Sequence, residues 1–179
     1  VVFLDLKTWD NGNIKKWILH LIDAATRFTL STFISNKKPS TIIDKVMLLW
    51  VGAGFGAPGK FFADNRGEFA NAEFRDMCEN LNVQCLNTAA YSPWSNGLCE
   101  RNHAVVDNAL RKIIVDDPSI PPELALVYAY HAKNCLHMNS GFSSYQLVFG
   151  RNPNLRNVLQ DNPPALSGST ISEKLSQHL

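Results

Sequence analysis

VVFLDLKTWDNGNIKKWILHLIDAATRFTLSTFI, residues 1–34, decides the architecture. It holds three apolar runs, at 1–6, 17–22 and 28–34, rich in the β-branched and aromatic residues that suit a pleated surface. Asp10-Asn11-Gly12 supplies tight-turn chemistry after the first run, and residues 23–27 separate the second from the third. The spacing predicts an antiparallel three-stranded meander. Asp5 stands inside its first strand between Leu4 and Leu6, an unusual place for a charge.

Beyond this stretch the period changes. Pro39-Ser40 opens a helix expected to reach Val51, with Ile42, Ile43, Val46, Leu49 and Trp50 at helical spacing. Glycines 52, 54, 56 and 59 are expected to break it before a short strand at 60–63, which ends at Asp64. Asn71 is placed to cap a second helix whose apolar face is Phe74, Met77, Cys78 and Leu81. A strand at 83–86 follows, then a polar loop at 87–94, a long helix from about Ser95 to Val115, and another from Pro121-Pro122 to about His137. Three antiparallel strands followed by alternating helices and strands imply an α/β fold with a mixed sheet. Residues 1–151 are expected to form one domain, and 152–179, rich in Asn, Pro and Ser, a linker or tail.

A chain of 179 residues, 45% hydrophobic and 18% charged, is long and apolar enough for one packed core and unlike a disordered chain. With 17 Lys and Arg against 16 Asp and Glu, the net charge of +1 argues against DNA binding by bulk charge alone. The charge is uneven: residues 1–63 hold eight Lys or Arg and four Asp, which permits a basic face on that half. No apolar run approaches the roughly 20 residues of a membrane span, and no signal-peptide pattern opens the sequence, so no membrane association is expected. Cys78, Cys85, Cys99 and Cys135 form no C-x-x-C pair, which points away from a zinc ribbon or disulfide framework and toward a reduced, intracellular compartment.

Two motifs are decoys. Gly54-Phe55-Gly56-Ala57-Pro58-Gly59 matches G-x-G-x-x-G, but it follows a helix and precedes a strand, the reverse of a dinucleotide site, and Pro58 lacks an amide donor. His131 and His137 lie six apart, on different helix faces, and His20 sits in an apolar strand as a core residue would, so zinc is not expected within this chain.

The acids are more informative. Asp64 ends a strand, and Glu100 lies in the first turns of the long helix. At 100° per residue Glu100, His103, Asp107 and Arg111 form a polar stripe opposite Leu98, Val105, Val106, Ala109 and Ile113, which predicts an outward-facing Glu100. Each acid alone has a structural explanation: a lysine partner for Asp5, a turn at Asn65–Gly67 for Asp64, and the helix dipole for Glu100. Together they suit a hard cation. Two carboxylates ~4 Å apart repel by about 4 kcal/mol at an effective dielectric near 20, and Mg²⁺, an oxygen-binding ion, relieves such a cluster.

Asp64 and Glu100 are separated by 35 residues, and the segments around both resemble the D,D-35-E catalytic core of retroviral and retrotransposon integrases. The resemblance is carried by Phe62-Ala63-Asp64-Asn65-Arg66-Gly67-Glu68-Phe69, by Tyr91-Ser92-Pro93-Trp94-Ser95-Asn96-Gly97-Leu98-Cys99-Glu100-Arg101, and by Ser143-Ser144-Tyr145-Gln146-Leu147-Val148-Phe149-Gly150-Arg151. It implies a ribonuclease-H-like fold, a five-stranded mixed sheet flanked by helices. It also implies a catalytic, metal-binding triad of Asp5, Asp64 and Glu100, with Asp5 bridging two Mg²⁺ or Mn²⁺ ions, and the trimming and joining of DNA 3′ ends in the nucleus.

Thr88, Tyr91, Ser95, Asn96 and Arg66 are the DNA contacts it suggests. Two departures stand out: Arg66 falls where many relatives have glycine, and Ala104 and Asp107 fall where retroviral relatives often carry lysines. A homodimer is expected through the helix from residue 121, where Leu124, Leu126, Val127, Tyr128 and Tyr130 nearly surround the axis. A catalytically silent core kept for DNA binding or assembly, and a ribonuclease-H-type nuclease, are the alternatives.

Overall fold

The computed structural model describes residues 1–10, 12, 15–64, 67–87 and 93–155. At its centre is β1 (Val2–Asp10). β2 (Lys15–Asp23) pairs antiparallel with β1, and β3 (Thr29–Ile34) antiparallel with β2. On the other side β4 (Lys60–Ala63) runs parallel to β1 and β5 (Gln84–Asn87) parallel to β4, so the sheet order is β3-β2-β1-β4-β5. This is the expected mixed five-stranded sheet.

β1 runs four residues past its expected end at Leu6, because the extra residues have partners: Lys7 pairs with Asp107, and Trp9 is buried. Of the expected turn, Gly12 donates its amide to Asp10 Oδ1 at 2.8 Å, while Asn11 lies outside the described residues.

Strand alternation divides the core in two. Val2, Leu4 and Leu6 of β1 and Leu19 and Leu21 of β2 face one side, against Ile42, Val46, Trp50, Phe74 and Met77. Those partners come from α1 (Pro39–Val46), its continuation and α2 (Ala72–Asn80). On the other side Trp9 and Ile18 pack against Val106 and Leu110 of α3 (Pro93–Asp116) and Ala125, Leu126 and Ala129 of α4 (Pro122–Leu136). Each buried aliphatic or aromatic side chain contributes about 1.5–3 kcal/mol, so burial on both faces makes β1 and β2 the rigid part of the molecule.

Three local expectations need correction. The helix from Pro39 is α-helical only to Val46; it continues as a π-helix over Met47–Phe55 instead of breaking at Gly52. A Cβ at Gly52 would lie 3.1 Å from the Met47 carbonyl oxygen, so glycine there permits the wider turn, and the winding ends beside Gly54 at φ 99°. The long helix starts at Pro93 rather than Ser95, since proline fits a first helical turn, where its missing N–H costs nothing. A short hairpin, β6 (Met138–Asn139) and β7 (Phe142–Ser143), and α5 (Ser144–Phe149) follow α4, none of them expected.

α5 is fixed by a capping box. Ser143 Oγ accepts from Gln146 N–H at 3.2 Å, and Gln146 Oε1 accepts from Ser143 N–H at 2.8 Å. Gln146 also donates to Asn152 Oδ1 at 2.9 Å. Most of the expected tail, residues 156–179, lies outside the described residues. Among the described residues no helix is long and apolar enough to cross a membrane.

Three of the eight cations in residues 1–63 pair with acids of the other half. Lys7 pairs with Asp107, Lys16 with Glu123 at 2.5 Å, and Lys37 with Glu68 at 2.6 Å. Lys37 also lies over the Trp17 ring, 4.0 Å from its centroid. Part of the charge asymmetry is therefore internal pairing between β-meander and helices.

Candidate active site

The parallel β1–β4 ladder pairs Leu4 with Ala63, so Asp5 and Asp64 are the next residues along two adjacent strands, which lie ~4.8 Å apart. Alternation gives Asp5 the face of Phe3, and Asp64 continues the face of Phe62; these two rings pack edge to face at 5.0 Å. The first turns of α3 cover this face through Leu98 and Cys99, which cluster with Phe3 and Ile22.

β1 and α3 are matched residue by residue from there. Phe3 lies by Leu98 and Cys99, Asp5 by His103, Lys7 by Asp107, and Trp9 by Val106 and Leu110. His103 is therefore not on an outward polar stripe as expected; it is 5% exposed and faces the sheet. Glu100 is exposed, as expected.

Asp5 Oδ1 accepts from the Leu6 amide at 2.9 Å, and Oδ2 lies 3.4 Å from His103 Nε2 without hydrogen-bond alignment. Burial, with Lys7 adding to it, pushes the His103 imidazole down to about 4, against a smaller opposing pull from Asp107. The contact is thus between a carboxylate and a neutral ring at pH 7. His103 stacks on His20 with centroids 4.2 Å apart, and His20 Nδ1 is 2.7 Å from Ser31 Oγ. Burial holds the His20 imidazole well below its usual value, followed by the charges of His103 and Lys7.

Cys99 is buried on this face with Phe3, Ile22 and Leu98. Burial pushes its thiol up to about 12, and the charges of Asp5, Glu100 and Asp64 all add to that rise while Arg27 opposes it. One buried sulfur thus feels all three acids. Among the described residues, no three His, Cys, Asp or Glu side chains are gathered tightly enough to hold a metal ion. The donor chemistry nonetheless fits a hard divalent cation: carboxylate oxygens at two neighbouring strand ends and a third on the adjoining helix. Of the suggested DNA contacts, Arg66, Thr88 and Tyr91 and the side chains of Ser95 and Asn96 lie outside the described residues.

A buried polar network behind the site was not foreseen. Lys133 of α4, 3% exposed, donates to the Arg27 carbonyl and to Thr29 Oγ1 at 2.9 Å. Asn134 Oδ1 accepts from Thr29 N–H at 2.9 Å, and its Nδ2 donates to the Thr29 carbonyl at 2.7 Å. Burial, then the Arg27 charge, pushes the Lys133 ammonium down to about 7. A Lys-Asn pair one helical repeat after buried Leu126 and Ala129 is the sequence signal that could have found it.

No family model matches the chain. It is 25% identical over 146 residues to the retrovirus-related Pol polyprotein from transposon 412 of Drosophila melanogaster, covering 82% of this chain and 12% of that protein. It is 30% identical over 136 residues to the Gag-Pro-Pol polyprotein of Human T-cell leukemia virus 2, covering 74% of this chain and 9% of that protein. The chain thus spans about a tenth of the polyproteins it matches.

Among solved structures, the HTLV-2 integrase catalytic core domain in complex with magnesium superposes with a TM-score of 0.69 at 19% identity, covering 81% of this chain and 91% of that one. The catalytic core domain of BIV integrase gives 0.70 at 18% identity, covering 82% and 91%. In sequence the chain is similar to retroviral and retrotransposon Pol polyproteins, and its ribonuclease-H-like fold matches that of the HTLV-2 and BIV integrase catalytic cores.

Proposed function

We propose that this chain is the catalytic core of an integrase that trims and joins DNA 3′ ends by metal-dependent phosphoryl transfer. The observation that carries it is the placing of Asp5 and Asp64 at adjoining parallel strand ends, with the first turns of α3, which bear Glu100, packed on that face through Leu98 and Cys99. Asp5, Asp64 and Glu100 would hold Mg²⁺ or Mn²⁺, two ions in all. Divalent cations held there supply Lewis-acid charge for an in-line displacement at phosphorus by water or a DNA 3′-hydroxyl.

The chain's own contribution is placement. The Leu6 amide fixes one Asp5 oxygen, and the buried His103 ring backs the other at 3.4 Å. Phe3, Phe62 and Leu98 form an apolar floor that limits water behind the acids. Glu100, on the exposed surface of α3, joins the pair when DNA and metal are bound, and Arg66, Thr88, Tyr91, Ser95 and Asn96 contact the DNA. The work belongs in the nucleus, where target DNA is, and in a homodimer through α4.

Incubation with a labelled duplex, target DNA and Mn²⁺ or Mg²⁺ tests the reading. Joined product from wild type and none from Glu100→Gln is expected; equal activity in both would sink the assignment. Cleavage of an RNA–DNA hybrid with no joined product would favour the nuclease instead.

A further inference from the structure

Arg27 is the least explained cation near the acids. It sits in the turn between β2 and β3 at φ 64°, with its amide donating to the Asp23 carbonyl at 2.9 Å. Its own carbonyl accepts from Lys133 and from Thr29 Oγ1 at 3.1 Å. The backbone is therefore pinned from both sides of the turn. The guanidinium is not: Nη1 is buried and has no hydrogen-bond partner among the described residues. A buried charged donor left unpaired is costly, so the position calls for an acceptor.

The neighbouring acid is already engaged. Asp23 Oδ2 accepts from both the amide and the hydroxyl of Thr26, at 2.9 and 2.7 Å. Its charge still favours the Arg27 guanidinium, but more positive charge stands beside it. The first turns of α3 pack against this turn: Ala24 clusters with Leu98 and Cys99, and Thr29 Oγ1 lies 3.4 Å from Asn102 Oδ1, which brings Arg101, exposed on α3 beside Glu100, next to Arg27. Lys133 feels the Arg27 charge as well.

We propose that Arg27 and Arg101 together grip one DNA backbone phosphodiester beside Asp5, Asp64 and Glu100, an inference that rests on the integrase reading. Two guanidinium forks match the two free oxygens of a phosphodiester, and the anion supplies the acceptor that Arg27 Nη1 lacks. The grip is independent of base sequence.

The test is fluorescence anisotropy of a fluorescein-labelled 20-base-pair duplex titrated with the chain in EDTA, across 25–200 mM NaCl. Arg27→Asn keeps a residue tolerant of the left-handed turn, Arg101→Gln alters an exposed position, and Lys60→Gln, at the opposite end of β4 from Asp64, controls for bulk charge. Each arginine substitution is expected to weaken binding about tenfold and to lower the salt slope by about 0.9, with the double variant losing less than the sum because one phosphate is shared.

Wild-type affinity in Arg101→Gln, losses no greater than in Lys60→Gln, or no salt-dependent binding by wild type would overturn the proposal. Arg101→Gln decides it even where Arg27→Asn misfolds. A chain that binds through both arginines yet never joins DNA would refute the integrase reading and leave this grip standing.

Discussion

His103 Nε2 lies 3.4 Å from Asp5 Oδ2, yet the two form neither a hydrogen bond nor an ion pair, because burial keeps the imidazole neutral. The ring behind the candidate catalytic acid resists protonation.

That resistance sets a pH dependence. His103, at about 4, and His20, also held low by burial, bind protons more weakly in the folded chain than in the unfolded chain near 6.5. Between pH 6.5 and 5 the unfolded state holds more protons, so stability falls as pH falls, at up to about 2.7 kcal/mol per unit if both rings act. Urea unfolding in EDTA across this window measures it. His103→Asn is expected to roughly halve the slope, and an unchanged slope would show that His103 is not held neutral.

Lys133 works at the other end of the scale. Its ammonium, at about 7, is deprotonated in the fold while the unfolded chain still holds the proton to about 10.5. Stability is expected to rise by about 1 kcal/mol per unit from pH 7 to 8.5. Above that range Cys78 and Cys99, both pushed up to about 12 with burial as the main cause, reverse the trend, since their unfolded thiols ionise first. Lys133→Met should flatten the 7–8.5 rise; a rise of the same size in that variant would assign it elsewhere.

The matching of β1 to α3 gives a packing prediction. Leu110 is fully buried with Trp9, Ile18 and Val106. Leu110→Ala is expected to cost about 2–5 kcal/mol, read as a lower urea midpoint with unchanged slope. A cost under about 1 kcal/mol would mean that this face is loosely packed.

α4 shows its two faces clearly. Leu126 is buried and Tyr130 half-buried, so the apolar ring expected around this helix reduces to Leu124, Val127 and Tyr128, all exposed, with Val115 at the end of α3. The proposed dimer uses this stripe. Val127→Asp with Tyr128→Glu should convert a dimer to a monomer by light scattering at tens of micromolar, while a wild type that is monomeric there would refute the interface.

The architecture was legible because β1, β2 and β3 are apolar runs rich in β-branched and aromatic residues, and Asn71 caps α2 with its own side chain. The acids were legible by spacing and strand position. His103 was misplaced because a wheel assigns faces by polarity, whereas a neutral imidazole buries readily against another ring. The π-helical turn was hidden because its apolar period continues that of α1 and only glycine permits the change of winding. Arg27 and Lys133 were hidden because their meaning lies in contacts more than 70 residues apart in sequence, such as Lys133 with the Arg27 carbonyl. The capping box at Ser143 and Gln146 is legible in the sequence as Ser-x-x-Gln.

The central claim is that Asp5, Asp64 and Glu100 form one divalent-metal site. Calorimetric titration of the chain with Mn²⁺, beside Asp5→Asn and Asp64→Asn, tests it most directly. The account predicts millimolar or tighter binding by wild type and loss of roughly tenfold or more in each variant; equal uptake by all three proteins, or none by wild type, would contradict it.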